Sequence, residues 1–385
     1  MCFNEALLDG RNGSARFINS DQRKDTATNK LTSWNVNHHF LDRSEDEEFI
    51  EAWDAVMHLY PSAPAFCDYL PRDGVLTGEV RSYFSRLQEY ANAKGKRAAF
   101  CEINSRGRAG ALRDAFGGFH TAQVRDPINQ FGSFYRPLEE AGEWAFLAHP
   151  LKEIGINGHH PLYEIVPLEW RPPVLPWPAA DAGRRWATAV EYVLLLADQR
   201  PGTPAKIFRW HMFAWLLSNL AAIAYSDFVL DIDRAYDDAV CRSEIARIFA
   251  PAGGANMDFS DLTKFTRYYQ FESLDMAAIA SQAVAVVSDA LADRRLENAL
   301  GLLARSPLKT SAREATALLF TKIEDSLASF AASADRRSVS EETWSHFATR
   351  HAAQRSFLKN WMLRESARVA YPLLAPMVRV VRKMF

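Results

Sequence analysis

The chain has 385 residues and is nearly neutral, with 45 Lys and Arg against 47 Asp and Glu and a formal charge of −2. A chain of this length buries a substantial core and suggests two units, and its charge balance offers no broad positive field to a polyanion, which argues against nucleic acid as a partner. Four scattered cysteines, Cys2, Cys67, Cys101 and Cys241, form no CxxC pair, so a reduced, cytoplasmic setting fits better than a disulfide framework.

Positions 1 to 45 are polar and read as loop after a short start, and MCFNEALLDGRNGS lacks the basic start and apolar core of a signal peptide. Ser44 and Glu47 make a capping-box pattern ahead of Phe49, Ile50, Trp53, Val56, Met57 and Tyr60 at helical spacing. A second helix is predicted from near Thr77 to a stop at Gly95, with Val80, Phe84 and Leu87 on one face. RAAFCEI (97 to 103) reads as a buried strand, GRAGALRDAFGG as a short helix, and FHTAQV (119 to 124) as a second strand leading into another helix. This alternation predicts an α/β core, a parallel sheet with flanking helices.

From 149 to 182 a segment dense in Pro and aromatic residues is predicted to be an irregular lid or acceptor-site loop. Helical spacing returns from 183 to 224. Within it WHMFAWLLSNLAAIAYS (210 to 226) reads as a buried core helix rather than a membrane span, because it is short and carries His211, Ser218 and Asn219. DFVLDID (227 to 233) is a third strand candidate. Beyond it RSEIARIFA, DLTKFTRYY, 273 to 333 and 339 to the end are all predicted helical, giving an α/β unit over 1–235 and a mainly helical unit over 236–385. The last 35 residues hold seven Lys and Arg against one acid, Glu365. They fit either a helix closing the C-terminal unit or a weak contact with an anionic membrane surface.

The chemistry concentrates in VRDPINQFGSFYRP (124 to 137). Asp126 suits the cap of a helix and Pro127 its first position. Seven residues after the cap, Ser133 returns to the face on which the helix began, so Arg125 and Ser133 can point toward one anion. The carboxyl ends of parallel strands are where α/β sheets bind ligands, and a guanidinium fork beside a hydroxyl suits a phosphate. The alternative is a surface arginine and a serine bonded back to its own helix. Arg106 and Arg108 follow the preceding strand and could reach the same ligand, with a solvated turn as the rival reading. His149, His159 and His160 have neither a cysteine partner nor an HExxH helix, so no metal is expected. Asp231 and Asp233 suit capping of the next helix better than paired acid–base work.

Arg125 and Ser133, eight residues apart across an RDP strand-to-helix turn, resemble the 3′-phosphate-binding element of sulfotransferases that use 3′-phosphoadenosine-5′-phosphosulfate (PAPS). FCEINSRGRAGALRDAFGGFHTAQVRDPINQFGSF (100 to 134), YSDFVLDIDRAYDDAVCRSEI and CFNEAL are similar to segments of the bacterial branch of that family, over about a quarter of the chain. The resemblance implies a fold of the P-loop nucleotide hydrolase type and transfer of a sulfuryl group from PAPS to a hydroxyl of a carbohydrate, lipid or small metabolite. It implies a nucleotide 3′-phosphate site at Arg125 and Ser133, which Arg106 and Arg108 could also reach, no metal, and Glu5 as the base. It also implies a Gly/Ser/Thr-rich 5′-phosphosulfate loop ahead of CFNEAL. DGRNGSA (9 to 15) has no strand before it to play that part, so the sequence reads as an N-terminally shortened one, with a gap expected in the sheet. Two other classes remain open: a non-catalytic nucleotide-fold scaffold binding a protein through its helices, and a glycosyltransferase-like enzyme of surface polysaccharide, for which DID is a poor acidic motif.

Overall fold

The computed structural model describes residues 2–4, 59, 70–71, 73–101, 106–141, 144–172, 203–252 and 268–350. The predicted helix over 44–60, DGRNGSA, Glu5 and the basic C-terminus lie outside them, except for Leu59.

Strand β1 (Cys2–Asn4) pairs in parallel with β2 (Ala99–Cys101), and between them in sequence runs helix α1 (Gly78–Ala93). The Thr77 side chain caps α1 by accepting from the Val80 N–H. The helix ends two residues before Gly95, whose φ of +68° suits a residue without Cβ. Val80, Tyr83, Phe84, Leu87 and Ala91 form its buried face, against Phe100 and the next helix. A 3₁₀ turn (Arg106–Arg108) opens α2 (Ala109–Phe116), which returns the chain to β3 (Thr121–Val124) and then α3 (Pro127–Ala141). The strand–helix–strand–helix order read from the sequence is therefore present.

The segment from 149 begins not as a loop but inside α4 (Ala145–Asn157), followed by α5 (Pro161–Glu164) and a 3₁₀ turn at Leu168–Trp170. Pro150, the sixth residue of α4, lies inside the helix, which continues past it despite the intrahelical hydrogen bond that a proline there removes. A long helix, α6 (Thr203–Tyr225), follows and is buried along nearly its whole length. It is apolar all round, as a helix at the centre of a protein must be, and it packs against α2, α3, α4 and β3.

β4 (Phe228–Asp231) pairs in parallel with β3, placing Val124 opposite Asp231, and runs directly into α7 (Ile232–Asp237) and α8 (Ala239–Phe249). DLTKFTRYY does not end as a helix: Tyr268 and Tyr269 open β5 (Tyr268–Phe271), where the β-favouring aromatics Tyr268, Tyr269 and Phe271 are all buried. After α9 (Met276–Ala292), α10 (Arg295–Gly301) and α11 (Ala312–Ala332), a further strand, β6 (Arg336–Val339), pairs in parallel with β5 ahead of α12 (Glu341–Arg350). The strands thus form three parallel pairs, and among the described residues no ladder joins β1–β2 to β3–β4. α9, α10 and α11 all pack on α6, and one apolar core holds residues from Leu70 to Trp344, running across position 235. Among the described residues no single helix is long and apolar enough to cross a membrane.

Candidate functional site

The carboxyl ends of β3 and β4 are the point at which polar side chains converge. Asp126 caps α3, accepting the Asn129 N–H at 2.8 Å, and also accepts the hydroxyl of Ser326 from α11. Its own N–H donates to Asp233 Oδ2 at 2.6 Å. Lys322, one turn before Ser326 on α11, reaches that same oxygen at 2.9 Å and Asp231 Oδ1 at 2.6 Å. Asp231 caps α7, as the sequence suggests, whereas Asp233 is drawn into the lysine and the β3 terminus. Burial pushes the Asp126 carboxyl above its usual range, outweighing the hydrogen bonds it accepts. For Lys322 burial works against the charge, yet the hydrogen bonds and charges of Asp231 and Asp233 hold it above the ordinary lysine value.

Beside this acid–lysine cluster lies a cationic one. His211, Trp215 and Asn219 stand four residues apart on one face of α6, and each takes a different partner. His211 Nε2 donates to the Pro127 carbonyl at 2.8 Å, Trp215 Nε1 to the Arg125 carbonyl at 3.1 Å, and Asn219 Oδ1 accepts from Arg106 Nη1 at 3.4 Å. One helix face therefore contacts both arginines that the sequence singled out, the Arg125 backbone through Trp215 and the Arg106 guanidinium through Asn219. Arg106 also pairs at 3.9 Å with Glu153 of α4, a buried carboxylate whose other oxygen accepts the Tyr163 hydroxyl at 2.5 Å. His149 lies 3.9 Å from Glu153 and is kept neutral well below its usual range, by burial first and then by the charges of Lys152 and Arg106.

Neither arginine is a solvated surface group. The Arg125 and Arg106 Nε atoms are both buried and have no acceptor among the described residues. A buried donor without a partner costs about 1–3 kcal/mol, and more when charged, so each of these atoms could take an acceptor oxygen from a ligand. Arg108 is buried at 2% exposure at the start of α2. Ser133 is half-buried, and its hydroxyl donates to the Gln130 carbonyl at 2.7 Å, within its own helix. The structure therefore ties the Arg125 backbone and the Arg106 guanidinium to one face of α6 and shows Ser133 bonded locally. Glu5 lies outside the described residues.

His149, His159 and His160 do not converge: the first is half-buried in α4, the second is exposed, and the third caps α5 through Nδ1. Trp170 packs under the Arg209 guanidinium at 4.9 Å and beside Phe213. Sequence reasoning missed Lys322, Ser326, Trp215 and Glu153. The signal for Trp215 was present, because His211 and Asn219 interrupt an apolar run at helical spacing. Nothing in the pattern around Lys322 marks it out. No family model, no curated protein and no solved structure matches this chain.

Proposed function

We propose that the carboxyl end of β3 binds the 3′-phosphate of an adenosine nucleotide, and that the chain is a PAPS-dependent sulfotransferase with a core of the P-loop nucleotide type. The observation that carries this reading is the buried Nε of Arg125, at a strand-to-helix turn and without an acceptor among the described residues. One further feature supports it: β3 and β4 are parallel and end at the site.

In the reaction the acceptor hydroxyl oxygen attacks sulfur, the bond from sulfur to the 5′-phosphate oxygen breaks, and the hydroxyl proton passes to a base. Adenosine 3′,5′-bisphosphate leaves. The protein's task is to position the groups and stabilise charge on the departing phosphate. Arg125 and Arg106 hold the nucleotide, Arg108 supports the turn that carries Arg106, and Glu5 is the base. The acceptor is a hydroxyl of a carbohydrate, lipid or small metabolite.

Thermal unfolding with adenosine 3′,5′-bisphosphate tests the nucleotide site, because a ligand that binds only the folded state raises stability with its occupancy. The expected result is an upward shift that is lost in Arg125→Ala. The bond from Ser133 to Gln130 favours a second reading, a non-catalytic scaffold of the same fold that binds a protein partner. Absence of any shift at millimolar bisphosphate selects it.

A further inference from the structure

We infer that Asp233 and Lys322 are a positioning pair for Arg125, fixing the direction in which its guanidinium leaves the strand. This rests on Arg125 being the residue that holds the nucleotide 3′-phosphate. The peptide linking Arg125 to Asp126 is gripped from both sides by side chains of other elements. Its carbonyl accepts the Trp215 indole N–H at 3.1 Å, and its N–H donates to Asp233 Oδ2 at 2.6 Å. The register of β3 on β4 sets this up: Val124 lies opposite Asp231, so the two residues past each strand end meet. Lys322 holds the accepting oxygen at 2.9 Å and ties it to Asp231.

The physical need is clear from the local sequence. Arg125 lies between the last strand residue and the helix cap, where neither a ladder nor a helix fixes its backbone, and Pro127 removes the next N–H. Asp233 and Trp215 supply the two bonds that regular structure does not, and an ionised acceptor makes the stronger of them. Because Lys322 is carried by α11, the orientation of an anion-binding arginine in the α/β layer is set from the helical layer, 197 positions further along the chain.

Calorimetric titration with adenosine 3′,5′-bisphosphate, on full chains at a temperature where every variant is folded, tests this. Asp233→Asn keeps an acceptor but loses the charge, Lys322→Met removes the tether, Lys322→Arg restores it, and Trp215→Phe removes the opposite bond. Asp114→Ala serves as a destabilised control, since Asp114 accepts the N–H groups of Arg305 and Ser306 elsewhere. The expected result is a loss of affinity of about tenfold or more in Asp233→Asn, Lys322→Met and Trp215→Phe, recovery in Lys322→Arg, and wild-type affinity in Asp114→Ala. If the wild type binds, Arg125→Ala does not, and the Asp233 and Lys322 variants keep wild-type affinity, the positioning role is overturned and the site stands. If the wild type itself does not bind, the nucleotide reading falls and the positioning role falls with it. Should Asp233→Asn not fold, Lys322→Met and Trp215→Phe decide.

Discussion

Asp126 and Ser326, two hundred residues apart in sequence, share a buried hydrogen bond that joins the start of α3 to the middle of α11. One carboxyl group therefore caps a helix and fastens the helical layer to the strand ends. Replacing Asp126 by Ala removes the cap, worth about 1 kcal/mol, and leaves the Ser326 hydroxyl without its acceptor in a buried place. The combined loss is about 2–3 kcal/mol, measurable by urea unfolding. The pH dependence follows from the raised carboxyl. The native state holds this proton more tightly than the unfolded chain, so its stabilising contribution is present below about pH 3.9 and declines as pH rises through the native value. The stability difference between the wild type and Asp126→Asn should show that slope in the acidic range; a difference independent of pH would contradict it.

Lys322 titrates in the opposite region. Its native value lies above the usual 10.5, held there by Asp231 and Asp233 against the effect of burial. The stability it contributes is present below that value and is lost as pH rises through the native one. Lys322→Met should cost about 2–3 kcal/mol at pH 7, toward the lower end for a buried pair because Asp231 is one-third exposed. The gap between variant and wild type should narrow above pH 10.5, as followed by denaturant melts across the alkaline range.

The local half of this architecture was legible in the sequence and the long-range half was not. Thr77, Gly95, Asp126 and Pro127 mark helix ends through cap and φ preferences that act within a few residues, and the structure places the ends there. The apolar run around Trp215 announces a central helix by carrying no Asp, Glu, Lys or Arg from 210 to 226. By contrast, Lys322 meets Asp231 only because α11 crosses the ends of β3 and β4, a tertiary contact that no periodicity encodes. β5 and β6 were missed for a similar reason. Four-residue strands are too short to show a clear alternation, and each becomes a strand by finding the other, 68 positions away. Arg106 and Arg125 stand out in the sequence by their places after strands, but that both contact one face of α6 is a tertiary fact that those places do not encode.

His211 carries a pH dependence of its own. Its ring is buried among Phe131, Phe134 and Phe208 and donates through Nε2 to the Pro127 carbonyl, and burial lowers its value from 6.5 to about 4. The unfolded chain takes up this proton first as pH falls, so the stability is complete above pH 6.5 and is lost on the way down to about pH 4. Between pH 7 and 4.5 the loss from this one group is about 2–3 kcal/mol. His211→Gln, which keeps a donor but does not titrate, should be less stable at pH 7 and should lose correspondingly less on acidification.

Gly110 tests whether the turn carrying Arg106 and Arg108 tolerates displacement. A Cβ there would stand 2.6 Å from the Ala304 methyl and 2.7 Å from the Tyr225 ring. The ring is pinned by its own hydroxyl, which donates to the Leu300 carbonyl at 2.6 Å, so it cannot swing aside without losing that bond. Overpacking of this kind costs about 1–3 kcal/mol, which exceeds the gain of about 0.5–1 kcal/mol that alanine brings to a helix. Gly78→Ala supplies the contrast, since nothing lies within 4 Å of that position. Denaturant unfolding should therefore show Gly110→Ala destabilised and Gly78→Ala neutral or slightly stabilised. Ala304→Gly should relieve part of the clash at Gly110, and the Tyr225 contact should account for what remains.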